Sequence, residues 1–129
     1  MSEQSGSALD AAVQMAEAVR ALNHATVPAG GWPGLDGTGD IYSVVGALSI
    51  GVERLPQACD QCAAYLADRR RAGSLCRDGG GDVGERVTAA AAGFAAAGHL
   101  ANRLVVILRE VQSALADVAE ADVAERENS

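Results

Sequence analysis

Three cysteines are the residues of this chain best suited to chemistry. Cys59 and Cys62 have the C-x-x-C spacing found in zinc sites and redox dithiols, and Cys76 adds a third thiol. The two histidines, His24 and His99, could supply a fourth ligand to a tetrahedral metal ion. A small metal-binding or redox helical protein is therefore one possible function.

A structural interpretation of the same cysteines competes with the chemical one. Cys59 and Cys62 both fall on the apolar stripe of a predicted helix, where a buried cysteine packs as a small hydrophobic residue. A redox dithiol normally lies at the N-terminus of a helix, which activates the thiol, whereas these two lie in mid-helix. We therefore interpret them as core residues and expect no bound metal; Cys59, Cys62 and Cys76 remain the candidate ligands.

Two further motifs have weak chemical interpretations. Residues 79–84 match the G-x-G-x-x-G pattern, but a helix rather than a strand precedes them, unlike a dinucleotide-binding fingerprint. The residues Arg69 to Arg71, with Arg77, lack interleaved aromatic residues for base stacking, so they are better explained as the cationic end of a helix.

No serine, histidine and carboxylate arrangement suggests a catalytic site. We expect no enzymatic activity and no cofactor.

Composition and charge narrow the choice of partner. The net charge of −7 disfavours a nucleic-acid partner, because binding to phosphates needs a basic surface. The longest strongly apolar run, residues 44–52, is about half the roughly 20 residues of a membrane span, and the first ten residues do not resemble a secretory signal. All basic residues are arginine, a bias typical of GC-rich genomes such as those of actinobacteria. A cytoplasmic protein with a protein partner is expected, although secretion without a signal peptide is possible.

Apolar periodicity predicts three helices that must position these residues. The first covers about residues 7–24 and the second about 40–71, with Asp40 as its N-cap. Pro56 falls inside the second pattern, where it should either kink the helix or divide it into two collinear pieces. The third helix covers about 82–120, capped by Asp82, and an acidic tail over 121–129 should fray.

Two long apolar seams should form the helix contacts. Each follows alternating steps of three and four residues, the spacing of a and d positions in a coiled coil. The residues predicted for the core or interface are Ile41, Val45, Leu48, Val52, Leu55, Leu66, Phe94, Leu104, Leu108, Val111, Leu115 and Val118.

The turn Trp32-Pro33-Gly34 lies between the first two predicted helices. A W-x-G turn in a small, acidic, alanine-rich helical chain resembles the WXG100 family. The resemblance implies antiparallel helical hairpins that dimerise as four-helix bundles, and export by type VII secretion. In the alternative interpretation, Trp32 closes one end of the helical bundle while Pro33 and Gly34 shape the turn.

Together these patterns predict an all-α protein with a single domain over 1–129. A short N-terminal helix should precede a long antiparallel hairpin, because a short loop over 72–81 joins the second and third helices. The third helix is longer than the second, so part of its seam must be covered by the first helix or by a second chain. We therefore predict a bundle-forming dimer and a non-enzymatic interaction or scaffold function, with a type VII-type secreted protein and a metal-binding or redox protein as alternatives.

Overall fold

A computed structural model describes residues 7–121, and within that range every regular element is helical. Four α-helices follow one another: α1 (Ala8–Ala25), α2 (Thr38–Glu53), α3 (Leu55–Arg71) and α4 (Val83–Leu115). A single 3₁₀ turn, Pro28–Gly30, follows α1. The predicted all-α class is confirmed. The predicted acidic tail lies, apart from Ala121, outside the described residues.

The chain divides into two compact units. One holds the chain up to Ile41 together with the residues from Ala119 onward, and the other is Tyr42–Val118. In the first unit, the Ser7 hydroxyl caps α1 by accepting a hydrogen bond from the Asp10 N–H at 2.9 Å. No residue of α1 is buried. The turn after it returns to the end of α1, where the Gly34 N–H donates to the Ala25 carbonyl at 2.7 Å.

The predicted second helix is two helices. α2 ends at Glu53 and α3 begins at Leu55, so that Pro56 is the second residue of α3. At that position its missing N–H removes no intrahelical hydrogen bond, because the first four N–H groups of a helix have no carbonyl partner. The chain thus divides at Arg54, one of the two outcomes predicted for Pro56.

The predicted start of α2 was two residues too late. α2 begins at Thr38, so that Asp40 lies in its first turn and does not cap it. The Asp40 carboxylate instead accepts a hydrogen bond from the backbone N–H of Asp36 at 2.7 Å. At the other end of the chain, the Glu120 carboxylate accepts hydrogen bonds from the Thr38 N–H at 3.2 Å and hydroxyl at 2.6 Å. An acidic group at this end of a helix complements the helix dipole.

Asp82 caps α4 as predicted. Its carboxylate accepts from the Gly84 N–H at 2.9 Å. The helix ends at Leu115, short of the predicted residue 120, and the chain continues with tight i→i+3 bonds such as Val118 N–H to the Leu115 carbonyl. Asp117 and Glu120 follow the helix end, where negative charge is unfavourable beside the unpaired carbonyls.

In the second unit, α4 packs along α3 and contacts α2 through side chains. Gly98 lies against Pro56 and Gly84 against Arg70, so residue numbers fall along α4 as they rise along α3. Further along α4, Arg109 pairs with Glu53 at 2.9 Å. The buried core is small; it consists of Val45, Ser49, Gly84, Val87, Gly98, Ala101 and Val105.

The inward stripe of α4 differs from the predicted seam beyond Phe94. The prediction placed Leu104 and Val111 inward, but their neighbours Val105 and Gln112 are the more buried residues. Leu108 and Leu115 of the same predicted seam stay half-buried, so only the alternate seam positions are displaced, each by one residue. The contact stripe of α4 therefore keeps the predicted seven-residue repeat, but on a face slightly rotated from the predicted one.

The other predicted core residues divide by exposure. Val45 is buried, and the half-buried ones are Ile41, Leu48, Val52, Leu55, Leu66, Phe94, Leu108 and Leu115. Three are exposed: Leu104, Val111 and Val118. The exposed group lies on the outer side of α4 or just beyond its end.

Candidate functional site

The three cysteines do not converge. Cys59 is half-buried, whereas Cys62 and Cys76 are exposed, and all three are free thiols. The prediction that both members of the C-x-x-C pair face the core is wrong for Cys62; Ala63 takes the more buried position. The stripe of α3 restarts at the break before Leu55 and uses Pro56, Cys59 and Ala63. Within residues 7–121 no three histidine, cysteine or acidic side chains group as metal ligands.

Both histidines are exposed, and the glycine-rich loop leads directly into α4. His24 and His99 are both exposed. Gly79, Gly80 and Gly81 all have positive φ, a conformation that glycine adopts freely, and they form the loop before α4. The N-terminus of α4 is already occupied by the carboxylate of Asp82. A phosphate there would meet this carboxylate.

The arginine cluster interacts mainly with its own helix. Arg69 and Arg71 both contact the Asp68 carboxylate, at 2.9 Å and 3.5 Å, and the Arg69 guanidinium lies 5.9 Å from the centre of the Tyr65 ring. Arg70 lies over Gly84 at the start of α4. The cluster lies at the C-terminus of α3, where cations complement the carbonyl end of the helix, and the buried Nε of Arg69 has no hydrogen-bond partner within the described residues.

Trp32 has a strained backbone and an exposed side chain. Its φ is +53°, in the left-handed region that residues other than glycine rarely adopt, and 53% of the residue is exposed. It lines an open groove of about 340 Å³ with Leu35, Ile41 and Glu120, all in the first unit. About half of Trp32 is thus exposed in the single chain.

The outer side of α4 carries an apolar stripe that no helix of the second unit covers. Its four residues follow a 4-3-4 spacing and are between two fifths and two thirds exposed: Leu100 (66%), Leu104 (42%), Ile107 (51%) and Val111 (40%). We call these four residues the outer stripe. A 4-3-4 spacing places them on one face of the helix, about 16 Å long at 1.5 Å per residue. This face has the pattern of a helix–helix contact.

Charged residues border the outer stripe on one side. Arg103 and Glu110 are both exposed, and each lies next to a residue of the stripe in the sequence. Within residues 7–121 neither makes an ion pair, whereas the neighbouring Arg109 is paired with Glu53. The outer stripe therefore has one positive and one negative group on its border, both available to a partner.

By length and composition alone, α4 could also cross a membrane. It is the one helix in the described range that does so, with an 18-residue window of mean hydropathy 1.4, of which 17% is buried. The expectation of no membrane partner rested on residues 44–52, the longest strongly apolar run, and α4 lies outside that run.

No protein-family model, curated protein or solved structure matches this chain.

Proposed function

We propose that this is a non-enzymatic interaction or scaffold protein, in which an antiparallel hairpin of α2–α3 with α4 forms a helical bundle with a second chain. The single observation that carries the proposal is the exposure of the outer stripe. A soluble helix with one face in a core normally presents polar residues on its other faces. Here a second apolar face has coiled-coil spacing, and no helix of the second unit covers it.

The amount of apolar surface is sufficient to support association. Burying one fully exposed leucine, isoleucine or valine contributes about 1.5–3 kcal/mol, and each stripe residue here has roughly half of that left to bury. Burial of two copies of the stripe would offset much of the roughly 4–15 kcal/mol of translational and rotational entropy that association costs. Burial of the stripe in an oligomer thus favours association, and its strength depends on how well the two faces pack.

Light scattering across a range of concentrations, under reducing conditions with and without zinc, tests the proposal. The wild-type chain should form a dimer that zinc does not change. Ile107→Asp should shift it to monomer, because the change places a charge in the buried interface. Val106→Asp is the matched control: Val106 is 57% exposed and adjacent in sequence, but lies off the stripe.

Other results would point to other functions. A wild-type monomer at every concentration would overturn self-association and direct attention to a different protein partner. Flotation with lipid vesicles, impaired equally by Ile107→Asp and Val106→Asp, would instead indicate membrane insertion, since lipid contacts all faces of a spanning helix. A mass that changed with zinc would make the cysteines metal ligands.

The resemblance of Trp32-Pro33-Gly34 to the WXG100 family supports a second candidate, a helical protein exported by type VII secretion. The exposed aromatic side chain in the turn after α1 is the observation that favours it. Export should then depend on the C-terminal tail. Unchanged export after deletion of the residues beyond Glu120 would exclude this candidate.

A further inference from the structure

The two border charges of the outer stripe have opposite signs and a regular separation. Arg103 and Glu110 are seven residues apart, which is about two helical turns and roughly 10 Å along the axis, so they lie on the same side of α4. Both are exposed and neither forms an ion pair within the described part of the chain. Read along the helix, this border is positive at one end of the stripe and negative at the other.

The charged borders of two copies are complementary to each other only when the two α4 helices run antiparallel. If two copies of α4 align antiparallel, with Leu104 facing the partner's Ile107, then Leu100 faces the partner's Val111. The same alignment brings Arg103 beside the partner's Glu110, and by symmetry Glu110 beside the partner's Arg103. All four apolar positions and both charges of each copy then have partners.

A parallel alignment does not give this match. It puts the Arg103–Glu110 borders of the two copies on opposite sides of the interface. Each charge would then face the other border of the stripe, where the equivalent residues are Ala101 and Leu108. A parallel pairing therefore leaves four charges without countercharges.

We infer that the occupant of the outer stripe is a second copy of this chain, docked antiparallel about a twofold axis between Leu104 and Ile107, with Arg103 of each copy paired to Glu110 of the other. This inference rests on the proposed function and specifies its partner and geometry. Such an interface is isologous, since the same surface is used by both copies. Opposite charges on its border determine orientation more than they add affinity.

Charge reversal tests the pairing. Arg103→Glu alone and Glu110→Arg alone each create two like-charge contacts per dimer, and each should raise the dissociation constant on the order of tenfold. The double variant Arg103→Glu/Glu110→Arg should dimerise like the wild type. Arg54→Glu, which makes the same charge change as Arg103→Glu away from the stripe, controls for net charge, and circular dichroism controls for folding.

Mixing the two single variants gives the sharpest result. A chain with Arg103→Glu and a chain with Glu110→Arg are complementary at both charge pairs, so the mixture should recover wild-type affinity while each variant alone remains weak. Sedimentation of the mixture with one chain fluorescently labelled measures this directly. A parallel dimer would show no such recovery.

A distance measurement checks the orientation separately. A spin label at Ala96, in a chain whose three cysteines are replaced by serine, should be about 30 Å from its counterpart in the antiparallel dimer. In a parallel dimer the same labels would be about 10 Å apart, the spacing of packed helices. The short distance would overturn the inference.

Different results would overturn self-association through the outer stripe and the antiparallel pairing of Arg103 with Glu110. If the wild type dimerises and Ile107→Asp abolishes the dimer, but charge reversal has no effect or mixing gives no recovery, the antiparallel pairing is wrong and the proposed function stands. If the wild type is monomeric throughout, self-association itself is wrong and the pairing falls with it.

Discussion

Gly98 of α4 lies directly against Pro56 of α3. A Cβ atom built on Gly98 would be 3.6 Å from the Pro56 Cα and 3.7 Å from its Cβ. The two helix backbones thus come close together at the second residue of α3, just after the break between α2 and α3. A buried glycine at that point allows α4 to pass close to the backbone where the chain divides.

This contact predicts opposite effects for two substitutions at Gly98. Gly98→Ala should stabilise the fold by about 0.5–1 kcal/mol, because alanine favours the helix and its methyl group fits at ordinary van der Waals distance. Gly98→Leu should destabilise it by about 1–3 kcal/mol through overpacking against Pro56. Urea unfolding followed by circular dichroism measures both. Equal stability of the two variants would show that α4 does not approach α3 this closely.

Pro56→Ala tests the division of the predicted second helix. Because Pro56 is at the second position of α3, its replacement should change the free energy of unfolding by less than about 1 kcal/mol. A proline in the interior of one continuous helix would cost about 3 kcal/mol, and its removal would restore that amount. A gain of that size in chemical denaturation would contradict the division at Arg54.

The helices themselves could largely be predicted from sequence because their determinants are local. The 3.6-residue periodicity and the cap at Asp82 depend on neighbouring residues only. The buried faces of the helices were harder to predict, because whether Leu104 or Val105 points inward depends on tertiary contacts such as the one between Gly98 and Pro56. Cys62 was placed on the wrong face for a related reason. The apolar pattern was extended through Pro56 as one continuous helix, whereas the helix breaks at Arg54. Two residues of the outer stripe, Leu104 and Val111, were among those predicted for the core, whereas Leu100 and Ile107 were not. The exposure of all four is visible only in the structure.

Gly46 and Gln112 form a second close contact, between α2 and α4. The Gln112 amide donates to the Tyr42 carbonyl at 3.4 Å and lies where a Cβ on Gly46 would be. Gly46→Ala must displace this flexible side chain, which offsets its gain in helix propensity. In a Gln112→Ala background the same substitution should be more favourable by about 0.5–1 kcal/mol, as a double-mutant cycle would measure. Additive effects would mean that the two residues are not in contact.

Asp82 is expected to contribute measurably to stability. Asp82→Ala should cost about 0.5–2 kcal/mol, because it removes the acceptor for the Gly84 N–H at the start of α4. Asp78→Ala is the matched control: it removes the same charge from the preceding loop, where Asp78 is exposed and makes no hydrogen bond or ion pair within the described residues. Thermal unfolding compares the two. An equal loss from both variants would attribute the effect to charge rather than to capping.

The cysteines should differ in reactivity and in structural importance. Exposed Cys62 and Cys76 should react rapidly with a thiol reagent in the folded protein, and half-buried Cys59 more slowly. Cys59→Ser should cost on the order of 1 kcal/mol, because it places a hydroxyl where a small apolar group packs, whereas Cys62→Ser should be within about 0.5 kcal/mol of the wild type. Cys62→Ser therefore serves as the control for the same chemical change at an exposed position. Slow reaction of all three thiols, with protection lost only on unfolding, would mean that Cys62 and Cys76 are covered in solution. Since α3 and the loop after it leave both exposed in the single chain, that cover would have to come from a further contact, and the outer stripe would not be the only interface.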